Sequence, residues 1–406
     1  MKRVGLVLPH AKGSGLRFLR AALGLPDTRV AVVTQDERDT FPPDVRNGLA
    51  GHWRIENALD VGGLAEGARG VAGQLGGLDR FFAIQEHLQL PVAQARAGLG
   101  VPGMDPETVA DFRDKSRMKA RLRAAGVPCA RFQLAGDAKT ARAFVRENGF
   151  PVVVKPPAGA GAADTWRVND QRRLEELLAK SPPHPHNPML LEEFIRGEEF
   201  SFDSVWLDGK PAWTSIGHYR PTCLEVKEND WIQWTVLLPR DVGGSEFNAV
   251  RRAGEAALRA LGFTSGMSHM EWFRRPDGSI AISEVGARPP GAQFCTLMGL
   301  AHDADLYRGW MRLMIHGAFD PPQRRYAAGG AYLRAMGRGR VKGVRGSDEV
   351  WRRYGPLIRE AELPSPGMEA GDGYEGQGFI LLRHESTGVV AEALKDIVRT
   401  VRVELE

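Results

Sequence analysis

A segment at residues 266–291 constrains the fold of this chain more than any other stretch. It contains two runs of alternating residues, and the turn-forming sequence Arg-Arg-Pro-Asp-Gly separates them at residues 274–278. Proline and aspartate favour a turn, and glycine accepts a positive φ, so we predict an antiparallel hairpin. In such a hairpin Glu271 and Glu284 can reach the same face of the sheet as near neighbours.

Two carboxylates this close favour a bound cation. They repel each other unless positive charge lies between them, and oxygen ligands of this kind suit Mg²⁺ or Mn²⁺. Arg288 follows Glu284 closely and adds a permanent cation. The residues taken alone leave a plainer alternative open, which is a solvated hairpin with scattered charges.

Composition argues against several classes of protein. A chain of 406 residues is long enough for more than one domain. Its net charge of +4 is small for this length and predicts neither a nucleic-acid surface nor a membrane patch. The distant cysteines form no disulfide framework, the first apolar run is too short for a signal peptide, and no apolar segment approaches membrane-spanning length. We therefore expect a globular cytoplasmic protein.

The start of the chain has the pattern of an α/β domain. Apolar runs at residues 4–8 and 29–34 are typical of buried strands, and a turn and a helical pattern lie between them. Strand, turn, helix and strand in this order predict a parallel sheet. Glycines and a proline at residues 98–103 then mark a domain edge. The first domain lacks a proper dinucleotide fingerprint, which weakens the alternative of a Rossmann-type oxidoreductase.

Further features follow in a recognisable order. A lysine near a helix start (Lys115) precedes a lysine at a strand end (Lys155), which leads into a glycine- and alanine-rich loop. An acidic turn and the two-carboxylate hairpin come after them. In this order they resemble the ATP-grasp superfamily, and most closely its branch with a preceding α/β domain, as in carbamoyl phosphate synthetase, biotin carboxylase and the L-amino acid ligases. The resemblance runs from the first strand to the C-terminus.

The resemblance implies an α/β and α+β fold. A Rossmann-like parallel-sheet domain at residues 1–104 would precede a two-lobed ATP-grasp fold. The smaller lobe, with its linking helices and a glycine-rich flap, would span residues 105–190, and the larger lobe with a C-terminal subdomain would span residues 191–406. In the family the nucleotide lies between the two lobes. By analogy, a homodimer through the first domain is expected.

The resemblance also assigns a nucleotide site. Lys115 and Lys155 match the lysines that hold the phosphates of ATP, a task that suits a compact ammonium group. Gly159 and Gly161 lie in the matching flap, where small residues let backbone N–H groups approach phosphate; a mobile surface loop is the plainer alternative. The hinge that hydrogen-bonds adenine through its backbone matches residues Glu192, Glu193, Phe194 and Ile195. The carboxylate that binds ribose matches Glu199, with Glu198 as the alternative if the register is shifted by one residue.

Glu271 and Glu284 match the carboxylates that bridge the metal in this family, so magnesium is the expected cofactor beside ATP, with manganese as a substitute. Many members carry asparagine two residues after the second glutamate. Gly286 stands there in this chain, which puts one contact to a second metal in doubt and leaves water or Ser283 as replacements. His269, near the metal strand, is explained equally well by packing.

The resemblance implies a reaction as well. Arg288 matches the arginine that steadies the transferred phosphoryl group, and a guanidinium fork suits that geometry; with Lys155 it forms the expected catalytic pair. Family members use ATP to convert a carboxylate to an acyl phosphate, which an amine then captures. We therefore expect an ATP-dependent carboxylate–amine ligase that makes an amide or dipeptide from small molecules and releases ADP and phosphate.

The substrates are expected near Arg288, Pro290, Gly291 and residues 219–234. Arg334 or Arg340 is a candidate for binding a substrate carboxylate, with solvated surface cations as the alternative. Two other functions stay open. A biotin-type carboxylase is weakened because we see no companion biotin-carrier segment, and a catalytically inactive nucleotide-binding regulatory protein is kept open by Gly286.

Overall fold

The computed structural model describes residues 1–159, 164–371, 373 and 375–406. Its first part contains strands β1 (Lys2–Val7), β2 (Thr28–Thr34), β3 (Gly51–Arg54) and β4 (Arg80–Ala83), with helices α1 (Gly13–Leu23), α2 (Pro43–Gly48), α3 (Val61–Leu75) and α4 (Gln89–Gly98). The strands are parallel in the order β3-β2-β1-β4, which confirms the predicted sheet. β4 is followed by a short 3₁₀ segment, Glu86–Leu88, at the sheet edge where α/β proteins bind ligands.

Two helices and a small antiparallel sheet come next. The linking helices are α5 (Pro106–Arg113) and α6 (Lys115–Ala124). The small unit contains β5 (Phe132–Ala135), α7 (Ala138–Asn148), β6 (Val152–Lys155), β7 (Trp166–Val168), α8 (Gln171–Lys180) and β8 (Met189–Glu193). Its strand order is β5-β8-β6-β7. β8 pairs only within this sheet in the described part of the chain, so the boundary expected at residue 190 falls inside a strand.

The rest of the chain builds a large antiparallel sheet and a small terminal one. Its strands are β9 (Glu198–Leu207), β10 (Lys210–Arg220), β11 (Trp234–Leu238), β12 (Gly266–Arg274), β13 (Ile280–Gly286), β14 (Ala327–Leu333), β15 (Gly339–Arg345), β16 (Ile358–Glu362), β17 (Glu369–Ala370), β18 (Gly378–His384) and β19 (Arg402–Leu405). Its helices are α9 (Cys223–Glu228), α10 (Asn248–Ala260), α11 (Phe294–His302), α12 (Leu306–His316), α13 (Ser347–Tyr354) and α14 (Thr387–Thr400). The large sheet runs β13-β12-β9-β10-β11-β14-β18-β16, and the small one runs β17-β15-β19.

One predicted helix is broken. The helical pattern at residues 301–316 predicts a continuous helix, whereas α11 ends at His302 and α12 begins at Leu306. Asp303 has a φ of 54°, a left-handed conformation that terminates α11. Asp305 then caps α12, because its side chain accepts the N–H of Arg308 at 2.9 Å. Local capping chemistry therefore overrides the apolar periodicity.

Large aromatic residues mostly serve packing, so the sequence predicts that Trp231 and Trp234 lie in the core or else at a pocket wall. Trp234 is fully buried on β11 and stacks on Tyr332 of β14, with ring centroids 3.9 Å apart. Trp231 is 60% exposed, because it lies in the loop between α9 and β11 rather than on the sheet. The prediction is therefore confirmed for Trp234 and wrong for Trp231.

The structure can be compared with two expectations from the sequence, which concern disulfides and membrane-spanning segments. None of Cys129, Cys223 and Cys295 takes part in a disulfide, so they form no disulfide framework. None of the helices described here combines the length and the apolar character that crossing a bilayer requires.

Candidate active site

The hairpin of β12 and β13 places Glu271 directly opposite Glu284 in the strand register. Both residues line a cavity of about 800 Å³. Residues of β6 and β8 in the small sheet line the same cavity, as do residues 84–87, which follow β4. The predicted neighbourhood of the two carboxylates is thereby confirmed, and the cavity lies where all the parts of the fold meet.

Lys115 and Lys155 reach the same cavity from different elements. Lys115 is the first residue of α6, whose N-terminus is capped by the side chain of Asp114. Its Nζ lies 3.1 Å from Oε1 of Glu284. Lys155 ends β6, and its Nζ lies 3.0 Å from Oε1 of Glu192. The structure thus brings together the lysines predicted to hold phosphates.

Neighbouring charges stabilise the ionised forms of Glu284 and Lys155 more than that of Glu271. Burial opposes ionisation of Glu284, but Lys115 and Lys155 outweigh it and hold the pKa of Glu284 below its ordinary value. Burial also opposes the charge of Lys155, yet Glu192 and Glu284 keep its pKa above the ordinary value. Glu271 has weaker support, since burial and then the charge of Glu284 raise its pKa. A cation bound between Glu271 and Glu284 would relieve that repulsion.

Glu199 lines the cavity and is 4% exposed. Its carboxylate accepts the backbone N–H of Cys223 at 2.6 Å. Burial and then the charge of Glu271 raise the pKa of Glu199 to about 8. Glu198 instead has a half-exposed side chain that lies 3.4 Å from Nε2 of His218. Of the two register alternatives, Glu199 is therefore the one that faces the cavity.

The segment predicted to form the adenine hinge also lines the cavity, with Glu192, Glu193, Phe194 and Ile195. Its acidic side chains are already paired. Glu192 lies 3.4 Å from the buried Nζ of Lys119, besides Lys155. Glu193 accepts hydrogen bonds from Arg131 at 2.7 Å and from Arg275 at 3.0 Å. The acidic side chains of this segment therefore bind cations of the protein, and the hinge role stays a prediction.

The start of the expected flap is held by cations. The carbonyl oxygen of Gly159 accepts from Nζ of Lys115 at 3.3 Å and from Nη1 of Arg113 at 3.2 Å. In this structure the backbone oxygen of Gly159, not its N–H, therefore faces the positive groups of the site. Gly161, the other glycine expected to approach phosphate, lies outside the described residues.

Arg288 and Glu86 line the cavity, and Arg113, which does not line it, binds Glu86. Sequence reasoning missed Glu86 and Arg113 as residues of the site. Nε of Arg288 donates to Oε2 of Glu86 at 2.6 Å, and Nη1 of Arg113 donates to the other oxygen of Glu86 at 2.9 Å. The signal for Glu86 was its position just after a strand of the parallel sheet, at the edge where such sheets bind ligands. Arg113 carried no comparable signal.

His269 belongs to a buried polar chain on the cavity wall. Its Nδ1 lies 2.6 Å from Oδ1 of Asp203, and its Nε2 lies 3.3 Å from the hydroxyl of Tyr219. Because a carboxylate oxygen of Asp203 is the acceptor, Nδ1 of His269 carries a proton and donates to it. The packing role considered for His269 thus includes the orientation of a tyrosine hydroxyl, which the sequence pattern did not reveal.

Arg334 and Arg340 do not line the cavity. Arg334 is buried, and its Nη1 donates to the carbonyl oxygens of Val226, Asn229 and Ile232 at 2.8–3.1 Å. Arg340 is exposed and lies 3.3 Å from Glu369. The structure therefore contradicts both as ligands of a substrate carboxylate in this cavity. Arg334 is also not a surface cation, since it fastens the loop after α9.

Residues 148–297 match a family model described as the ATP-grasp domain. This part of the chain is therefore an ATP-grasp domain. The matched region contains Lys155, the residues of the hinge, both hairpin carboxylates and Arg288, so it covers most of the candidate site. Lys115 and Glu86 lie before it.

Curated relatives of this ATP-grasp chain include ligases and synthases. An L-arginine-specific L-amino acid ligase from Bacillus subtilis is 23% identical over 248 residues, which is 60% of this chain and 59% of the relative. The carbamoyl phosphate synthase large chain of Mycobacterium sp. (strain JLS) is 26% identical over 368 residues, which is 90% of this chain and 30% of the relative. The matches therefore span less than two thirds of either relative's length.

Solved structures share the whole fold. The L-amino acid ligase from Bacillus licheniformis superposes with a TM-score of 0.80 at 19% identity, covering 100% of this chain and 99% of that one. N5-carboxyaminoimidazole ribonucleotide synthetase from Thermotoga maritima has a TM-score of 0.73 at 17% identity, with both chains fully covered. At these identities the likeness shows the fold, and the expected Rossmann-like part followed by an ATP-grasp fold is confirmed.

The donor set of the ATP-grasp site fits a magnesium nucleotide. Within the described ranges no group of three or more histidine, cysteine, aspartate or glutamate side chains is placed to hold a metal by itself. Mg²⁺ bound with nucleotides uses one or two carboxylates and completes its shell with water and phosphate oxygens. Glu271 and Glu284 are sufficient for that, and Lys115 and Lys155 supply the positive charge that phosphates need.

Proposed function

We propose that this ATP-grasp protein is an ADP-forming ligase that joins a small-molecule carboxylate to an amine. The observation that carries the proposal is the pairing of Glu271 with Glu284 in one cavity with Lys115 and Lys155. Carboxylates for a hard cation and ammonium groups for phosphates are what a magnesium triphosphate requires. The fold shared with an L-amino acid ligase supports carbon–nitrogen bond formation as the outcome.

In the proposed reaction a carboxylate oxygen of the acid attacks the γ-phosphorus of ATP, and ADP leaves. The amine nitrogen then attacks the acyl carbon, phosphate leaves, and the nitrogen gives up a proton. Lys115 and Lys155 hold the phosphates, Arg288 steadies the transferred phosphoryl group, and Glu271 and Glu284 hold the metal. Bound Mg²⁺ would neutralise phosphate charge. The protein contributes position and charge rather than a covalent intermediate.

The acid and the amine are assigned to the part of the cavity lined by Arg288, Pro290 and Gly291. Tyr219 and residues 222–225 line the same cavity, in keeping with the segment that the sequence suggested for substrates. This placement puts the acid beside the guanidinium of Arg288, which would bind the acyl phosphate formed from it. Glu199 and the hinge are left for ribose and adenine.

The test is a screen for ADP release. The protein is incubated with ATP and Mg²⁺, and with amino acids and other small acids singly and in pairs; products are identified by mass spectrometry. We expect ADP release that depends on an acid–amine pair, with an amide of the summed mass less water. ADP release that depends on biotin and bicarbonate would replace the proposal by a biotin-type carboxylase. Nucleotide binding without turnover for any pair would replace it by a regulatory protein.

We extend the proposal to a cytoplasmic homodimer formed through the first part of the chain. The support is analogy with a biotin carboxylase domain from Hydrogenobacter thermophilus, which is described as a dimer and superposes with a TM-score of 0.67 at 15% identity. Sedimentation velocity on the purified protein tests the assembly. A single monomeric species at micromolar concentration would contradict it.

A further inference from the structure

Glu86 stands in an unusual position for a residue of the first part of the chain. It lies in the 3₁₀ segment after β4 and is 8% exposed, yet it lines the cavity built by the ATP-grasp lobes. Each of its carboxylate oxygens accepts a hydrogen bond from a different arginine, Arg288 at 2.6 Å and Arg113 at 2.9 Å. A buried carboxylate that is held in this way fixes two long, otherwise flexible side chains.

The space that Glu86 occupies explains the departure at position 286. A Cβ at Gly286 would lie 3.3 Å from Oε2 of Glu86 and 3.7 Å from the carbonyl oxygen of His269. An amide side chain there would have to share this space with the carboxylate. Position 286 is thus bordered by an acid from another part of the chain, 200 residues away in sequence.

The contacts of Glu86 link it to both sides of the phosphate region. Burial opposes the charge of Arg288, and the attraction of Glu86 outweighs it, so the pKa of Arg288 stands above its ordinary value. Arg113, the other partner, also donates to the carbonyl oxygen of Gly159 at the start of the glycine-rich loop. One carboxylate therefore connects the parallel sheet, the linking helices and the residue expected to steady phosphate.

We propose that Glu86 is a positioning residue of the active site, through which the first part of the chain sets the orientation of Arg288 in the space that an asparagine side chain at position 286 would need. This inference rests on the proposed function for the role of Arg288. Each oxygen of Glu86 accepts from an arginine, so Glu86 acts on the reaction through Arg288 in this proposal. The first part of the chain is then a component of the site.

A double-mutant cycle tests the inference. Glu86→Gln removes the charge and keeps the size of the side chain. We expect kcat for ADP release to fall by about 100-fold, because a misplaced group costs about that much. In an Arg288→Ala background the same substitution should lower kcat by less than about threefold. Equal losses in both backgrounds would overturn the inference.

Asp111→Asn is the matched control. Asp111 is 4% exposed, lies on α5, and also accepts from two arginines, Arg117 at 2.8 Å and Arg121 at 2.9 Å, but it does not line the cavity. This variant should lose stability about as Glu86→Gln does and keep kcat within about threefold of the wild type. A loss of kcat in the control that equals the loss in Glu86→Gln would show that the effect is structural, against the proposal.

Gly286→Asn gives an independent test. If Glu86 holds Arg288 in the space beside Gly286, the added amide displaces the carboxylate, and we expect kcat to fall toward the value of Glu86→Gln. Adding Glu86→Ala to Gly286→Asn should then cost less than about threefold more. A Gly286→Asn variant that is faster than the wild type, with Glu86 intact, would contradict the proposal.

A readout without turnover separates this inference from the proposed function. The affinity for an ATP analogue with a nitrogen bridge between the β- and γ-phosphates is measured by calorimetry in the presence of Mg²⁺. Glu86→Gln should weaken it in the wild-type background and leave it unchanged in the Arg288→Ala background. A wild type that releases no ADP with any acid–amine pair contradicts the proposed function, whereas equal weakening in both backgrounds contradicts the role of Glu86.

Discussion

Glu271 and Glu284 lie directly opposite each other on β12 and β13, and the pKa values of their carboxyl groups are shifted in opposite directions. The pKa of Glu284 is lowered because Lys115 and Lys155 outweigh burial, whereas burial and the charge of Glu284 raise the pKa of Glu271. A cation bound between the two carboxylates, in a cavity that is also lined by Lys115 and Lys155, would relieve the repulsion that Glu271 experiences. That relationship is the physical basis for the function proposed above.

The first prediction concerns Glu284. Glu284→Gln should reduce ADP release by at least about 1000-fold, since the loss of a preorganised charge in a buried site has effects of that order. It should also remove the dependence of nucleotide affinity on Mg²⁺, as measured by calorimetry with and without a chelator. Asp277→Asn, in the exposed turn of the same hairpin, is the control and should behave like the wild type. Near-normal turnover of Glu284→Gln would count against the metal role.

The second prediction concerns Lys155. Lys155→Ala should weaken ATP binding by roughly 2–5 kcal/mol, because a buried phosphate charge loses its partner. The substitution leaves Glu192 with Lys119 as its nearest remaining cation, so thermal unfolding should be recorded beside calorimetry to separate folding from binding. Lys180→Ala, at the exposed end of α8, serves as control. Unchanged nucleotide affinity in Lys155→Ala would contradict the assignment.

The third prediction is a pH dependence of stability. Burial and the charge of Glu271 raise the pKa of Glu199 to about 8, whereas a glutamate in the unfolded chain has a pKa of about 4.3. Between these values the folded protein holds a proton that the unfolded chain releases, so this contribution to stability falls as pH rises, by up to about 1.4 kcal/mol per pH unit.

Glu199→Gln removes that titration. In the absence of nucleotide, urea unfolding between pH 5.5 and pH 8 should show a flatter decline for the variant than for the wild type, and the variant should be the more stable protein at pH 8. Glu369→Gln, at an exposed position, should leave the wild-type slope in place. An identical slope in Glu199→Gln and the wild type would show that Glu199 does not carry the effect.

The fourth prediction separates the two arginines that the sequence offered for a substrate carboxylate. Arg334→Met removes a buried guanidinium that donates to the carbonyl oxygens of Val226, Asn229 and Ile232, and a hydrogen bond to a charged group contributes about 1.5–3 kcal/mol. We expect a loss of at least about 3 kcal/mol in the free energy of unfolding. Arg340→Met should cost less than about 0.5 kcal/mol. A raised KM for the acid with unchanged stability in Arg334→Met would restore the substrate-binding hypothesis.

Much of this site could be predicted from the sequence because its residues belong to short local sequence patterns. The period of two in the hairpin fixed which face carries Glu271 and Glu284, and a strand end identified Lys155. Glu86 and Arg288 could not be paired in this way, since they lie on different parts of the fold and meet only through packing. Trp231 was misjudged because apolar character does not tell a loop from a sheet position.

The central claim is that Glu271, Glu284, Lys115 and Lys155 converge on a magnesium-bound triphosphate. A crystal structure of the protein with Mg²⁺ and a non-hydrolysable ATP analogue tests it most directly. The account predicts a metal ion bound by Glu271 and Glu284, phosphate oxygens within hydrogen-bonding distance of both lysines, and adenine against residues 192–195. A nucleotide bound elsewhere, or metal density that neither carboxylate contacts, would contradict it.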